Sequence, residues 1–415
     1  MVLPESVRKN PWLCANCKGV KHLCGMAPCP LIEEAKRSLQ VATLPTKTLF
    51  GSSPPSTFVG EAGYPCVYAG PLLPNGRSDT ELFEKPSQWL ELDFSKLISM
   101  RVSLIRSVKR MFVRRADETR VGVAMQEAAM SVKPVDLELL LSKPPSGAPS
   151  FSFYTPPLGP SAKVERVLYV ENPKVPKAVE RVVSDRQLKA VEGLVTLWES
   201  GFDEVYLTRL LSSALLGVKR SLVPTRWSIT AIDDTLSKAG IKKLKEFKTL
   251  DRFLVGKFEA LGNRFAVILS PFRWRYEMLE SWLPFVGVLD DGSNTIPSDS
   301  EDGWGRSSYA SGLGGAYYAA RLAVVEALLG MKRQAEVIVF MEITKGWLAP
   351  LGVWRVREGV RRCFQNVKTF SSLKEAFEEA ISNMETHKKS WYRSSRFLRE
   401  RLSTKTLEQF FTGYT

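Results

Sequence analysis

Four cysteines stand within sixteen residues near the N-terminus: Cys14, Cys17, Cys24 and Cys29, separated by two, six and four residues. Thiolates paired this closely can surround a Zn2+ ion tetrahedrally. Gly19 and Gly25 supply the turns such knuckles need, and Lys18 and Lys21 favour ionised sulfur. Four protein ligands close the coordination sphere, so the expected role is structural rather than catalytic. His22 in place of one cysteine, an iron–sulfur cluster, or four plain buried thiols are the other readings of the same residues. One tight cluster in a chain of 415 residues points to metal rather than to a disulfide framework.

Groups able to move protons are scarcer. The chain has only two histidines, His22 and His387, so a Ser-His-Asp triad or a multi-histidine metal centre has to draw on those two. Carboxylates, hydroxyls and arginines are the remaining candidates. Asp233 and Asp234 end a segment, RWSITAIDD (Arg226–Asp234), that alternates like a strand. With Glu342 from another strand they can hold Mg2+ or Mn2+, and Arg226 can clamp a phosphate beside them. Such a set would make a metal-dependent phosphoesterase or nuclease. The plainer reading is that adjacent carboxylates at a strand end are caps. Ser52, Ser53 and Arg321, in Gly-rich or strand-end surroundings, are further phosphate-binding candidates. The run GLGG (Gly312–Gly315) precedes a helix and can either cradle phosphate or simply turn the chain. It lacks the G-x-G-x-x-G spacing, and no Walker-type lysine follows.

Charge suggests what the protein binds. A net charge of +14 favours polyanions, either nucleic acid or an anionic membrane surface, over the alternative of general solubility. The excess is clustered. RVSLIRSVKRMFVRR (Arg101–Arg115) holds six basic residues and no acidic one. Leu104, Ile105, Val108 and Met111 or Phe112 recur at helical spacing, leaving Arg106, Lys109 and Arg110 on other faces to meet phosphates. A second cluster, HKKSWYRSSRFLRERLSTK (His387–Lys405), interleaves Lys388, Lys389 and Arg393 with Trp391, Tyr392 and Phe397. It can pair phosphate contacts with base stacking, or be a solvated helix face with a small apolar stripe.

The last residues read TLEQFFTGYT. Leu407, Phe410 and Phe411 gather on one helical turn as a hydrophobic plug. The spacing is similar to the peptide that docks on the replication sliding clamp (PCNA), Gln-x-x-aliphatic-x-x-aromatic-aromatic. Thr404 replaces the glutamine, which weakens the polar anchor and leaves the plug intact. The alternative is a terminal helix folded back on the domain.

These groups need elements to position them. No apolar run approaches the ~18 residues of a membrane span, and the N-terminus is no secretory signal, so the expected location is cytoplasmic and no membrane partner is expected. Residues 36–80, rich in Pro, Gly and Ser, read as loops and short strands. Glu91–Ala129 reads as helical. Strands are expected at Arg166–Asn172, Arg226–Asp234, Arg264–Pro271 and Glu336–Thr344. Helices are expected at Pro176–Ser200, Asp203–Gly217, Tyr317–Met331 and Ser372–Glu385. The expected fold is a mixed α/β (α+β) core over residues 36–385, with two subdomains split near 144–160. A zinc-binding module covers residues 1–35. A basic segment and flexible clamp-binding tail cover 386–415.

Several runs resemble the archaeal Nre family: CGMAPCP, FGSSPPSTFVGEAGYP, PTRWSITAIDD, WGRSSYASGLGGAYYAAR, ITKGWLAPLGVWRVRE and the clamp-type C-terminus. Together they span nearly the whole chain. The resemblance implies a role in DNA repair, with DNA, the sliding clamp and other repair factors as partners. It also implies a zinc-finger-like cysteine set at Cys14, Cys17, Cys24 and Cys29, and clamp binding by Leu407, Phe410 and Phe411. It implies no catalytic residues.

Overall fold

The computed structural model describes residues 17, 21–30, 33, 46–54, 56–74, 80–283, 296–344 and 346–403. Cys14 and the clamp-type residues Thr404, Leu407, Phe410 and Phe411 lie outside them. Among the described residues the fold is mixed α+β, with two six-stranded sheets. The chain forms two compact units. The first-sheet unit comprises Ile32–Ala239 and Pro350–Arg355, and the second-sheet unit comprises Met1–Leu31, Gly240–Ala349 and Val356–Thr415. Residues 144–160 lie inside the first-sheet unit.

The first sheet contains β1 (Thr48–Ser53), β2 (Thr57–Val59), β3 (Cys66–Leu73), β4 (Ile105–Phe112), β5 (Val135–Leu141) and β6 (Ser161–Val170), in the order β1-β5-β6-β4-β3-β2. Neighbours run antiparallel except β4 and β6, which are parallel. Alternation sets the two faces. In β5, Val135, Leu137, Leu139 and Leu141 are buried while Asp136, Glu138 and Leu140 are half-exposed. The helices that follow in chain order are α1 (Pro86–Trp89), α2 (Phe94–Val102), α3 (Arg120–Met130), α4 (Lys177–Ser184), α5 (Ala190–Glu199), α6 (Glu204–Ser212) and α7 (Thr225–Leu244). Helix α3 starts where the Thr119 hydroxyl accepts from the Gly122 amide. Its Val121, Met125 and Ala128, spaced one helical turn apart, pack with Val67, Ala69 and the β5 leucines in one core.

Two sequence expectations fail in this unit for the same reason. Leu104, Ile105, Val108 and Met111 are buried as expected, but Leu104 directly precedes strand β4 and the other three lie in it rather than in a helix. RWSITAIDD is the start of helix α7, not a strand. Short apolar runs fit both periods. Helix α7 is launched by Pro224, whose carbonyl accepts from the amides of Trp227 and Ser228 at 2.8 and 2.9 Å.

The second sheet contains β7 (Phe253–Ala260), β8 (Asn263–Ser270), β9 (Arg275–Trp282), β10 (Ser298–Glu301), β11 (Glu336–Ile343) and β12 (Val367–Phe370), in the order β10-β9-β11-β8-β7-β12. Strand β11 is central and buried at every position, as its apolar run Val337–Met341 requires. Helices α8 (Gly315–Met331), α9 (Trp354–Cys363), α10 (Leu373–Ile381), α11 (Lys388–Ser394) and α12 (Arg396–Ser403) follow.

The basic-aromatic segment is therefore folded. Trp391, Phe397 and Leu398 join Phe340 and Phe377 in the core of this unit. Helix α12 is fixed by a carboxylate at its N-terminus. Glu277 accepts from the Ser395 hydroxyl at 2.5 Å and from the amides of Arg396 and Phe397 at 2.7 and 3.2 Å. Arg401 binds Glu336, and Arg275 bridges Glu336, Glu400 and Asp302.

Candidate nucleic-acid interface

The first sheet buries one face under α3 and leaves part of the other open, around Tyr68, Arg110 and Phe112. Strand register sets what the open face carries. Tyr68 on β3 stands opposite Arg110 on β4, Leu72 opposite Arg106, and Cys66 opposite Phe112. On the other side of β4, Arg106 meets Ser161 and Val108 meets Lys163 of β6. Residues two apart share a face, so Arg106, Arg110, Tyr68, Phe112 and Lys163 stand together. Tyr68 and Phe112 are 37% and 41% exposed, unusual for rings that could have packed inward.

Between these strands and the β2–β3 loop lies a cavity of about 410 Å3. Phe58, Gly60, Glu61, Ala62, Tyr68, Arg106, Val108, Ser161 and Lys163 line it. Each cation sits over a ring: the Arg106 guanidinium lies 5.6 Å from the Phe58 centroid and the Lys163 ammonium 5.7 Å from that of Tyr68. Arg106 Nε donates to the Gly159 carbonyl at 3.0 Å, which fixes its direction. Burial pulls the Arg106 guanidinium below its ordinary value, as partial removal from water must. Among the described residues no carboxylate lies within ion-pair distance of Arg106, Lys109, Arg110 or Lys163. The second-sheet unit differs: Arg264, Arg275, Arg321, Arg396 and Arg401 are all paired with carboxylates.

The cavity's lip continues onto helix α7. Glu61 accepts from Arg226 Nη1 at 3.0 Å and from the Trp227 indole at 3.2 Å. Arg226 lies over Tyr154 at 4.3 Å, and Trp227 packs against Tyr64 with centroids 5.4 Å apart. Arg226 thus does belong to the site, but as a brace for the loop carrying Glu61.

The other candidates serve the fold. Ser52 donates to Asp136 at 2.6 Å, and Ser53 is fully buried on the Leu72 carbonyl at 2.7 Å. Asp233 is buried on α7, and Asp234 on the same helix is paired with Lys238 at 2.7 Å, both in the first-sheet unit. Glu342 lies on β11 in the second-sheet unit. Its carboxylate is held by Arg264 at 3.0 Å and by the Glu385 and Thr386 amides at 3.1 and 2.7 Å. Arg321 is buried against Glu301 at 2.6 Å. In the GLGG run, the Leu313 amide already donates to Asp299 at 2.8 Å, so the protein's own carboxylate occupies that turn. In the second basic cluster Lys388 is paired with Glu378, Lys389 and Arg393 are exposed, and Trp391 is wholly buried. Trp391 has no face for a base.

Sequence reasoning missed Phe58, Glu61, Tyr64, Tyr68, Lys163 and Trp227. The signal was present in FVGEAGYPCVYAG (Phe58–Gly70), where aromatics alternate with small residues around a glycine turn.

Near the N-terminus, Cys17 is buried and Cys24 and Cys29 are half-buried. The Lys21 amide donates to the Cys17 carbonyl at 3.2 Å and the Gly25 amide to that of His22 at 2.9 Å. Gly25 adopts a φ of +77°, open to glycine. The His22 ring nitrogen Nδ1 lies 3.0 Å from the Met26 carbonyl. The turn at His22–Gly25, which carries Cys24, and soft sulfur donors suit a thiolate knuckle. Among the described residues no three His, Cys, Asp or Glu side chains gather to hold a metal, and no helix is long and apolar enough to cross a membrane.

Two family models match the chain: Archaeal Nre, N-terminal, over residues 23–286, and Archaeal Nre, C-terminal, over residues 301–410. The chain is 40% identical over 375 residues to the DNA repair protein NreB of Archaeoglobus fulgidus, covering 90% of this chain and 94% of that protein. It is 39% identical over 374 residues to the DNA repair protein NreA of the same organism, covering 89% and 92%. It is 34% identical over 335 residues to the DNA repair protein NreA of Haloferax volcanii, covering 78% and 80%. No solved structure matches.

Proposed function

Because this chain belongs to the archaeal Nre family, we propose that it is a DNA repair protein that binds DNA on the open face of its first sheet. Recruitment to the replication sliding clamp (PCNA) runs through Leu407, Phe410 and Phe411, with Thr404 as the polar anchor. Zn2+ on Cys14, Cys17, Cys24 and Cys29 supplies a structural cross-link, not a reacting centre. The repair role is supported by the names of the relatives. The observation that carries DNA binding is the contrast in ion pairing. Arg106, Arg110 and Lys163 stand without carboxylates beside exposed rings (Lys109, opposite Ala69, alternates to the other face), while Arg264, Arg275, Arg321, Arg396 and Arg401 of the other unit are each paired with one. Unpaired cations take up phosphates and release counterions.

The test is fluorescence anisotropy with labelled DNA, comparing wild type with the double variant Arg106→Glu, Lys163→Glu. We expect affinity to fall tenfold or more, with a shallower dependence on salt. Equal affinity and an unchanged salt slope would place the interface elsewhere.

A further inference from the structure

We infer that the cavity on the first sheet receives an unpaired nucleobase, so that the DNA bound there is single-stranded. The inference rests on the DNA-binding reading and narrows it.

The cavity's volume of about 410 Å3 falls within the range of sites that enclose a small ring system. Its walls are Phe58, Tyr68, Val108 and Ala62, with Glu61 and Ser161 as polar groups and Arg106 and Lys163 as the cations. A flat apolar solute flanked by phosphate is the chemistry such a wall fits. In duplex DNA both faces of every base are covered by neighbours, so only an unstacked base can enter and lie on an aromatic ring. Arg106 and Lys163, each over one face of a ring, place positive charge where the phosphate adjoining a base on the other face would fall.

A second observation extends the track beyond the cavity. Tyr64 and Trp227 are 49% and 46% exposed, tilted at 47° to each other. Glu61 connects the two places, lining the cavity and accepting from the Trp227 indole. The exposed pair, its indole held by Glu61, offers a stacking surface for the next base of the same strand.

The experiment uses the full chain with a labelled single strand and a hairpin duplex of equal charge. A single 5-iodouracil in the strand reports, on irradiation, any aromatic side chain stacked against it. The expected result is a single-strand preference of tenfold or more and a cross-link within Phe58–Tyr68 or at Trp227. Tyr68→Ala should weaken single-strand binding roughly tenfold and duplex binding much less, whereas Arg106→Glu weakens both. Should Tyr68→Ala unfold, the wild-type cross-link and the exposed-site variant Trp227→Ala decide the matter. Equal binding of both DNA forms with no cross-link to these aromatics overturns the base site and leaves DNA binding standing. No binding of either form overturns both.

Discussion

The Trp391 indole meets the Phe340 ring edge-on, with centroids 5.3 Å apart and neither side chain exposed. A residue that composition places in a DNA-binding stretch is therefore a core residue of the second-sheet unit.

Trp391→Ala should destabilise that unit by about 3–5 kcal/mol, because it opens a cavity beneath two helices. Urea unfolding measures the loss. DNA affinity of the folded variant should match wild type. A stable variant that no longer binds DNA would show that the indole faces a ligand after all.

A second expectation concerns Arg101 and Glu84. Arg101 donates to the Phe83 carbonyl at 2.6 Å, lies 3.4 Å from the Glu84 carboxylate, and stacks on Trp89 at 5.0 Å. Arg101→Ala leaves that carboxylate buried with the Ser56 hydroxyl as a remaining partner. The expected loss at neutral pH is about 3–5 kcal/mol. Burial pushes the Glu84 carboxyl above its ordinary value even though Arg101 opposes it. The folded protein thus holds this proton more tightly than the unfolded chain. The group's contribution is complete below the unfolded value and is lost as pH rises through the folded one. Without Arg101 the carboxyl rises further, so the variant should lose more at pH 7 than at pH 5. Unfolding curves at the two pH values settle the sign; a loss independent of pH would mean that Arg101 acts only through packing on Trp89.

Metal content tests the cysteine set. Purified protein should carry one zinc per chain, and Cys24→Ser or Cys29→Ser should lose it along with stability, since metal binding and local folding are coupled. Iron with visible charge-transfer absorption would instead identify a cluster. Metal-free protein of unaltered melting temperature would remove the site altogether.

Deletion of residues 407–415 should abolish clamp binding while leaving the melting temperature and DNA affinity as in the full chain. The same loss is expected for Phe410→Ala with Phe411→Ala, since the plug is one hydrophobic unit. Clamp affinity that survives both changes would refute the docking role.

What the sequence disclosed was local. Strands β8 and β11 are built on the apolar runs Phe265–Leu269 and Val337–Met341, and helices α8 and α10 have lengths and periods that admit one reading. The proline and glycine content of residues 36–80 excluded a helix there, and β1 to β3 lie within that stretch. The failures were at β4 and the start of α7, where few apolar positions left two periods equally satisfied. The interface was illegible for a different reason. Lys163 reaches Tyr68 only because β6 pairs in parallel with β4, a pairing between strands more than fifty residues apart. Likewise Arg264 neutralises Glu342 across 78 residues of chain. Charge count reveals an excess of cations, but only register tells which cations have been silenced.

The carboxylate cap on α12 has a consequence for reach. With Glu277 gripping its first turn and Glu336 holding Arg401, the helix is a fixed post rather than the start of a loose thread. Leu407 comes four residues after Ser403. An extended chain spans at most about 3.6 Å per residue, so whatever grips Leu407 stands within about 14 Å of the post. A ring captured on so short a leash would ride close against the second-sheet unit, its orientation restricted by geometry before any further contact forms.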